Sequence, residues 1–220
     1  MSKCPDTAAP ARSLVILISG RGSNFQTIHQ ACLLGAINAD IALVISNRPD
    51  AAGLVYAREQ KIRTRVLNHS DYTSRNQYDL ALSSVIDTIE QPFVILAGFM
   101  RRLTGSFTRR YTSRLINIHP SLLPLHPGLD THRAAIEHGD RWHGCSVHYV
   151  TEKLDGGPVI ARAVVPLYKQ DTPQLLAARV LAKEHMLYPH VIQLCLTGRI
   201  EWKDGHILHA GIPLQYPLAF

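Results

Sequence analysis

Short, unbroken apolar runs alternate along the chain with longer segments of helical spacing. Leu14–Ile18, Ile41–Ile45 and Phe93–Ala97 are continuous apolar runs, the mark of strands covered on both faces. Arg114–Ile118 is another such strand, and a shorter one is expected near Thr64–Leu67. Between them, Phe25–Leu34, Ala51–Gln60 and Ser74–Ile89 carry helical patterns, the first stopped by Gly35 and the last closed by Gln91-Pro92. Strand alternating with helix predicts a parallel sheet with helices on both faces, a Rossmann-like first half. After Gly128 the pattern changes. A helix near Thr131–Glu137 precedes two strands, Cys145–Val150 and Val159–Pro166, close enough to pair antiparallel. A long helix, Pro173–Leu196, ends at Gly198, and Asp204-Gly205 between Arg199–Lys203 and His206–His209 signals a two-residue hairpin. The expected fold is α/β: a single domain, residues 13–220, with a mixed, mainly parallel sheet flanked by helices.

Composition narrows the setting. Residues 1–12 carry no apolar signal core and read as a disordered extension. No apolar run is long enough to span a bilayer. The formal charge of +6 is too mild to imply nucleic acid, but it suits small anionic ligands. Cys4, Cys32, Cys145 and Cys195 are scattered without a C-x-x-C pair, so reduced thiols in the cytoplasm are expected. Of the 12 histidines, His119, His126, His132, His138, His143 and His148 crowd one stretch. No His pair sits with a Glu in the zincin arrangement, and no metal is expected.

Three stretches carry candidate chemistry. Ser19-Gly20-Arg21-Gly22-Ser23-Asn24 lies where a buried strand turns into a helix, and a helix start offers unpaired N–H groups to an anion. Ser23 or Asn24 is also a good N-cap, so a merely capped helix is the plainer reading. In Leu115-Ile116-Asn117-Ile118-His119-Pro120, alternate residues share a face, which sets Asn117 and His119 side by side where Pro120 ends the strand. A buried Asn and His capping a strand end is the competing account. Leu154-Asp155-Gly156-Gly157-Pro158, taken alone, is a turn.

Asn117-Ile118-His119-Pro120-Ser121-Leu122-Leu123-Pro124 resembles the signature of the folate-dependent formyltransferases. The stretches SGRGSN at 19–24, LAGFMR at 96–101 and LDGGPV at 154–159 agree with it in order and spacing. The resemblance covers Leu14 to about Arg199. It implies transfer of a formyl group from 10-formyltetrahydrofolate to the amine of glycinamide ribonucleotide, in purine biosynthesis. Under it, Gly22, Ser23 and Asn24 hold the substrate phosphate and Glu184 contacts the ribonucleotide. The folate lies against Met100, Arg101, Leu103, Asn117, Val150 and Asp155, with Arg75 near the glutamate tail, and His132 braces the site loops. The catalytic set is Asn117, His119 and Asp155. As the amine attacks, Asn117 and His119 donate to the developing oxyanion, and Asp155 favours the imidazolium or accepts the amine proton. The amine is already a nucleophile, so no metal is required.

One position departs from the family. The bacterial enzymes read Leu-His-Thr-His where this chain has Leu129-Asp130-Thr131-His132. Asp130 reads instead as a favourable helix N-cap. The alternative reactions are hydrolysis, as in formyltetrahydrofolate deformylase, or another folate-dependent formyl transfer. A deformylase resembles this pattern with a regulatory domain in front, and a methionyl-tRNA formyltransferase with a nucleic-acid-binding domain behind. About a dozen residues precede the first strand here, and the chain stops soon after the last helix. Small-molecule substrates, no nucleic acid, no membrane, and a monomer or weak homodimer are expected.

Overall fold

A computed structural model describes residues 12–220. The disordered extension expected for residues 1–12 falls outside them except for Arg12, which begins the first strand. The elements run β1 (Arg12–Ile18), α1 (Ser23–Leu33), β2 (Ala39–Ser46), α2 (Ala52–Glu59), β3 (Thr64–Val66), α3 (Arg75–Ile86), β4 (Phe93–Leu96), α4 (Gly105–Arg110) and β5 (Leu115–His119). They continue with α5 (Thr131–His138), β6 (Trp142–Tyr149), β7 (Val159–Pro166), α6 (Pro173–Leu196), β8 (Ile200–Lys203), β9 (His206–His209), β10 (Ile212–Pro213) and β11 (Leu218–Ala219).

The main sheet has the order β11-β7-β6-β5-β4-β1-β2-β3. Strands β1 to β5 pair in parallel, whereas β6 pairs antiparallel with both β5 and β7. The apolar runs are continuous because each strand is buried on both faces. In β1, Leu14, Ile16 and Ile18 join one core with residues of α1, α2 and α6. Val15 and Leu17 join the other, with Tyr78, Leu82 and Ile86 of α3 and Phe107 of α4. The fully buried Tyr188 of α6 places its hydroxyl 2.9 Å from the Leu96 carbonyl and 3.1 Å from that of Ile116. It thereby fixes the helix to the two strands whose ends build the site.

The hairpin at Asp204-Gly205 forms as expected, with Lys203 opposite His206 and both turn residues at positive φ. Its small sheet, β10-β9-β8, packs on β6 through Trp202 and Tyr149, whose rings lie 5.3 Å apart. The short α4 was not expected. It is six residues long, too short to show helical spacing, although Thr104 caps it by accepting from Phe107 N at 3.4 Å. No helix among the described residues is long and apolar enough to cross a membrane.

Candidate active site

The site grows from the end of β5. Asn117 lies directly opposite His148 in the antiparallel ladder, and its amide nitrogen is 3.2 Å from His148 Nε2. His148 Nδ1 is 2.9 Å from the Tyr149 carbonyl. A carbonyl only accepts, so Nδ1 carries the hydrogen and Nε2 accepts from the Asn117 amide. Burial lowers the His148 pKa, against the Tyr149 carbonyl and the Asp155 carboxylate, and so favours this neutral form. One of the two amide hydrogens of Asn117 is used here, and the other has no partner among the described residues.

His119, two residues on, is buried. Its Nε2 donates to the His126 carbonyl at 3.0 Å, and its Nδ1 lies 3.5 Å from Asp155 Oδ2. The same carboxylate oxygen accepts from Gly128 N at 2.8 Å, and Oδ1 is 3.8 Å from His148 Nε2. Asp155 has φ 46°, a left-handed conformation that Asp tolerates better than most residues. The turn expected at 154–158 and a carboxylate in the site are therefore one structure. Gly157 lets the turn lie on β6, since a Cβ there would meet the Tyr149 carbonyl at 1.8 Å.

The loop after β5 is tied down along its length. Ser146 Oγ donates to the Ser121 carbonyl at 2.7 Å and accepts from Leu123 N at 3.0 Å. Thr131 Oγ1 donates to the Pro120 carbonyl at 2.7 Å, and the Arg162 guanidinium donates to the Leu123 carbonyl. His132 Nδ1 lies 3.1 Å from His143 Nε2. Burial, then the neighbouring His132 and His126, push His143 down to about 4, and burial with His119 nearby lowers His132.

Two hollows open beside this set. A narrow cleft of about 80 Å³ is lined by Leu96, Phe99, Leu103, Val150, Asn117 and Asp155, among others. Through Arg102, Leu103 and Glu152 it meets an open trough of about 540 Å³ that holds Arg75 and Arg109. Arg101 also lines the cleft, its guanidinium 5.4 Å from the centre of the Tyr78 ring. The second hollow, about 280 Å³, is formed by Ser19 to Asn24 with Arg48, Gly98 and Met100. Met100 thus lines this hollow, not the cleft with Arg101 and Leu103 where it was expected.

At the loop of residues 19–24 the expected cap is corrected. The N-cap of α1 is Gly22, at φ 72°, and no side chain caps the helix. Ser23 and Asn24 are already helical, so the first-turn N–H groups remain available to an anion. Asn24 instead donates to the buried Glu184 of α6 at 2.7 Å. Burial raises the Glu184 pKa, opposed by that bond. Asp130 is corrected in the same way. It occupies the N-cap of α5 but makes no capping bond and has φ 55°.

A model of the formyl transferase family matches residues 12–192. The chain belongs to this family. The phosphoribosylglycinamide formyltransferase of Escherichia coli K12 is 48% identical over 202 residues, covering 89% of this chain and 95% of that protein. The Haemophilus influenzae enzyme of the same name is 41% identical, over 88% of this chain and 92% of its own length. The solved phosphoribosylglycinamide formyltransferase of Coxiella burnetii, in complex with CHES, superposes with a TM-score of 0.91 at 42% identity, covering 96% of this chain and 99% of that one.

Sequence reasoning about this formyl transferase missed three contributors. His148 is the direct partner of Asn117. Ser19 ties the loop of residues 19–24 to its neighbours by donating to Asn47 Oδ1 at 2.5 Å and accepting from Met100 N at 2.7 Å. Arg48 adds a cation beside the loop of residues 19–24, its guanidinium 2.9 Å from Asp50. Ser19 lay within the stretch 19–24 and His148 on the strand expected at Cys145–Val150, but that strand was expected to pair with Val159–Pro166, and its pairing with β5 was not legible.

Proposed function

We propose that the site transfers the formyl group of 10-formyltetrahydrofolate to the amine of glycinamide ribonucleotide, a step of purine biosynthesis. The observation that carries this reading is that Asn117 and Asp155 line the cleft beside β5 with His119 Nδ1 3.5 Å from the Asp155 carboxylate, while α1 offers an uncapped start suited to a phosphate. The narrow cleft takes the flat pterin, and the trough beyond it takes the glutamate tail near Arg75. The ribonucleotide phosphate sits on the first-turn N–H groups of Gly22, Ser23 and Asn24. Glu184 holds Asn24 in place and faces the ribonucleotide side.

The amine attacks the formyl carbon, and the carbonyl π pair moves onto oxygen. The free amide hydrogen of Asn117 donates to that oxyanion, the larger electrostatic part of such catalysis. The His126 carbonyl keeps a hydrogen on His119 Nε2, so Nδ1 is the nitrogen that faces Asp155 and the reacting group. When protonated, Nδ1–H is the second donor to the oxyanion. Asp155 accepts the proton that the amine loses, directly or through a water. The tetrahedral carbon then expels the folate nitrogen, which takes up a proton. The amine needs no Lewis acid, and the chemistry is carried without a metal. The chain works in the cytoplasm, as a monomer or weak homodimer, without nucleic acid or membrane.

Hydrolysis of the formyl folate is the second reading, since it uses the same three side chains. It gives no purpose to the uncapped start of α1. The deciding measurement is consumption of formyl folate with and without glycinamide ribonucleotide. Rapid turnover only with the ribonucleotide, with formylated product in equal amount, is expected. Equal rates in both would overturn the reading.

A further inference from the structure

The loop that presents His126 and the helix that ends at His138 meet at Asp140. His126 Nε2 lies 2.6 Å from Asp140 Oδ2, and His138 Nδ1 lies 2.7 Å from Asp140 Oδ1. One ligand atom from each residue falls within 4.8 Å of the others. His126 and Asp140 are largely covered, with side chains 14% and 15% exposed, while His138 at 72% opens the cluster to solvent. Burial raises the Asp140 carboxyl, but the bonds from His138 and His126 outweigh it and hold the group below its ordinary range.

We propose that His126, His138 and Asp140 form a site for a divalent transition-metal ion of the zinc type. Two imidazole nitrogens and one carboxylate suit zinc and its neighbours, not magnesium or calcium. Bonds of about 2.0–2.2 Å place tetrahedral ligand atoms roughly 3.4 Å apart. One Asp140 oxygen binds the ion, so its short contact to one imidazole opens by less than about 1 Å as the ion replaces the bridging hydrogen. The remaining ligand atoms, within 4.8 Å, close in by at most about 1.4 Å. His138 stands at the exposed end of α5 and is free to make that adjustment. Water completes the coordination. The ion takes no part in formyl transfer. It grips His126, whose carbonyl holds His119 Nε2 at 3.0 Å, and so braces the loop beside the active site.

The test uses the full chain, stripped of metal and titrated with zinc chloride by calorimetry. One equivalent is expected to bind, and His138→Ala to weaken it about tenfold or more. Asp140→Asn, which keeps a hydrogen-bonding side chain, should do the same and serves if His138→Ala fails to fold. Zinc should raise the melting temperature of the native chain and not that of either variant. Cobalt(II) in the same site should give visible ligand-field bands without thiolate charge transfer. Absence of a stoichiometric site, or equal affinity in a folded variant, overturns the proposal. So does a thiolate band, which would place the ion on cysteine.

Discussion

Replacing Asp155 with Asn separates charge from shape at the centre of the site. Asp155 has φ 46°, which Asn accepts as readily as Asp. An amide oxygen in the place of Oδ2 keeps the 2.8 Å bond from Gly128 N. The amide nitrogen then falls where Oδ1 stands, 3.8 Å from His148 Nε2, a nitrogen that already acts as an acceptor. Every hydrogen-bonding direction is preserved, and what is lost is the negative charge beside His119 Nδ1. A general acid–base group contributes about 100- to 10,000-fold, so kcat should fall by that factor, about 3–5 kcal/mol of barrier. KM for both substrates should stay within a few-fold, because the loss lies in the transition state. The melting temperature should hardly move. Steady-state formyl transfer, with a thermal melt on the same samples, reads all three quantities. Combining Asp155→Asn with His119→Ala should cost far less than the product of the single losses. A variant that keeps more than about a tenth of its turnover would leave Asp155 as a turn residue.

Three further outcomes follow from the geometry. Gly22→Val should raise KM for the ribonucleotide far more than Ser23→Ala, because a Cβ at Gly22 meets Gly53 Cα at 3.2 Å and the residue has φ 72°; a larger effect of Ser23→Ala would make the hydroxyl the phosphate ligand. Asp130→Ser should lower stability in urea by about 1 kcal/mol with turnover intact, because φ 55° is unfavourable to Ser; a neutral Asp130→Ser would restore the capping role. His143, lowered by burial from 6.5 to about 4, binds fewer protons folded than unfolded between those values, so the stability that its neutral form supports is lost as pH falls from about 6.5 towards 4. His143→Gln should flatten that part of the stability curve, and an unchanged slope would assign the acid sensitivity to other groups.

The sheet was legible because its strands are buried on both faces, and a continuous apolar run has few other meanings. The site was legible in its parts and not in its joints. Asn117 and His119 share a face by strand alternation alone, but the partner of Asn117 depends on the β5–β6 register, which places His148 opposite. Six histidines between positions 119 and 148 gave no means of choosing one. The start of α1 failed for a different reason. Gly22, Ser23 and Asn24 all suit a helix terminus, and only the backbone angle of Gly22 decides which is the cap. Met100 and Arg101 are neighbours in an irregular segment whose successive side chains diverge. Gly98 and Met100 turn to the hollow at residues 19–24, and Phe99 and Arg101 to the cleft. A strip read as one apolar surface is in fact the wall between two hollows.

Beside that wall, backbone carbonyls set the polarity of two histidines. His119 and His148 both turn a ring nitrogen towards Asp155, at 3.5 and 3.8 Å, but they turn opposite atoms. His119 gives Nε2 to the His126 carbonyl and faces the carboxylate with Nδ1. His148 gives Nδ1 to the Tyr149 carbonyl and faces it with Nε2. Because Nε2 of His148 already accepts from Asn117, a proton there would meet a donor and break that bond. Burial disfavours the charge as well. Of the two imidazoles beside Asp155, only His119 therefore faces it with a nitrogen that the Asn117 amide does not occupy, and His148 is left to hold that amide. Two backbone carbonyls thus set two chemically identical side chains to different tasks: in the proposed reaction His119 turns Nδ1 to the carboxylate and the oxyanion, and His148 holds the Asn117 amide for the oxygen on which charge develops.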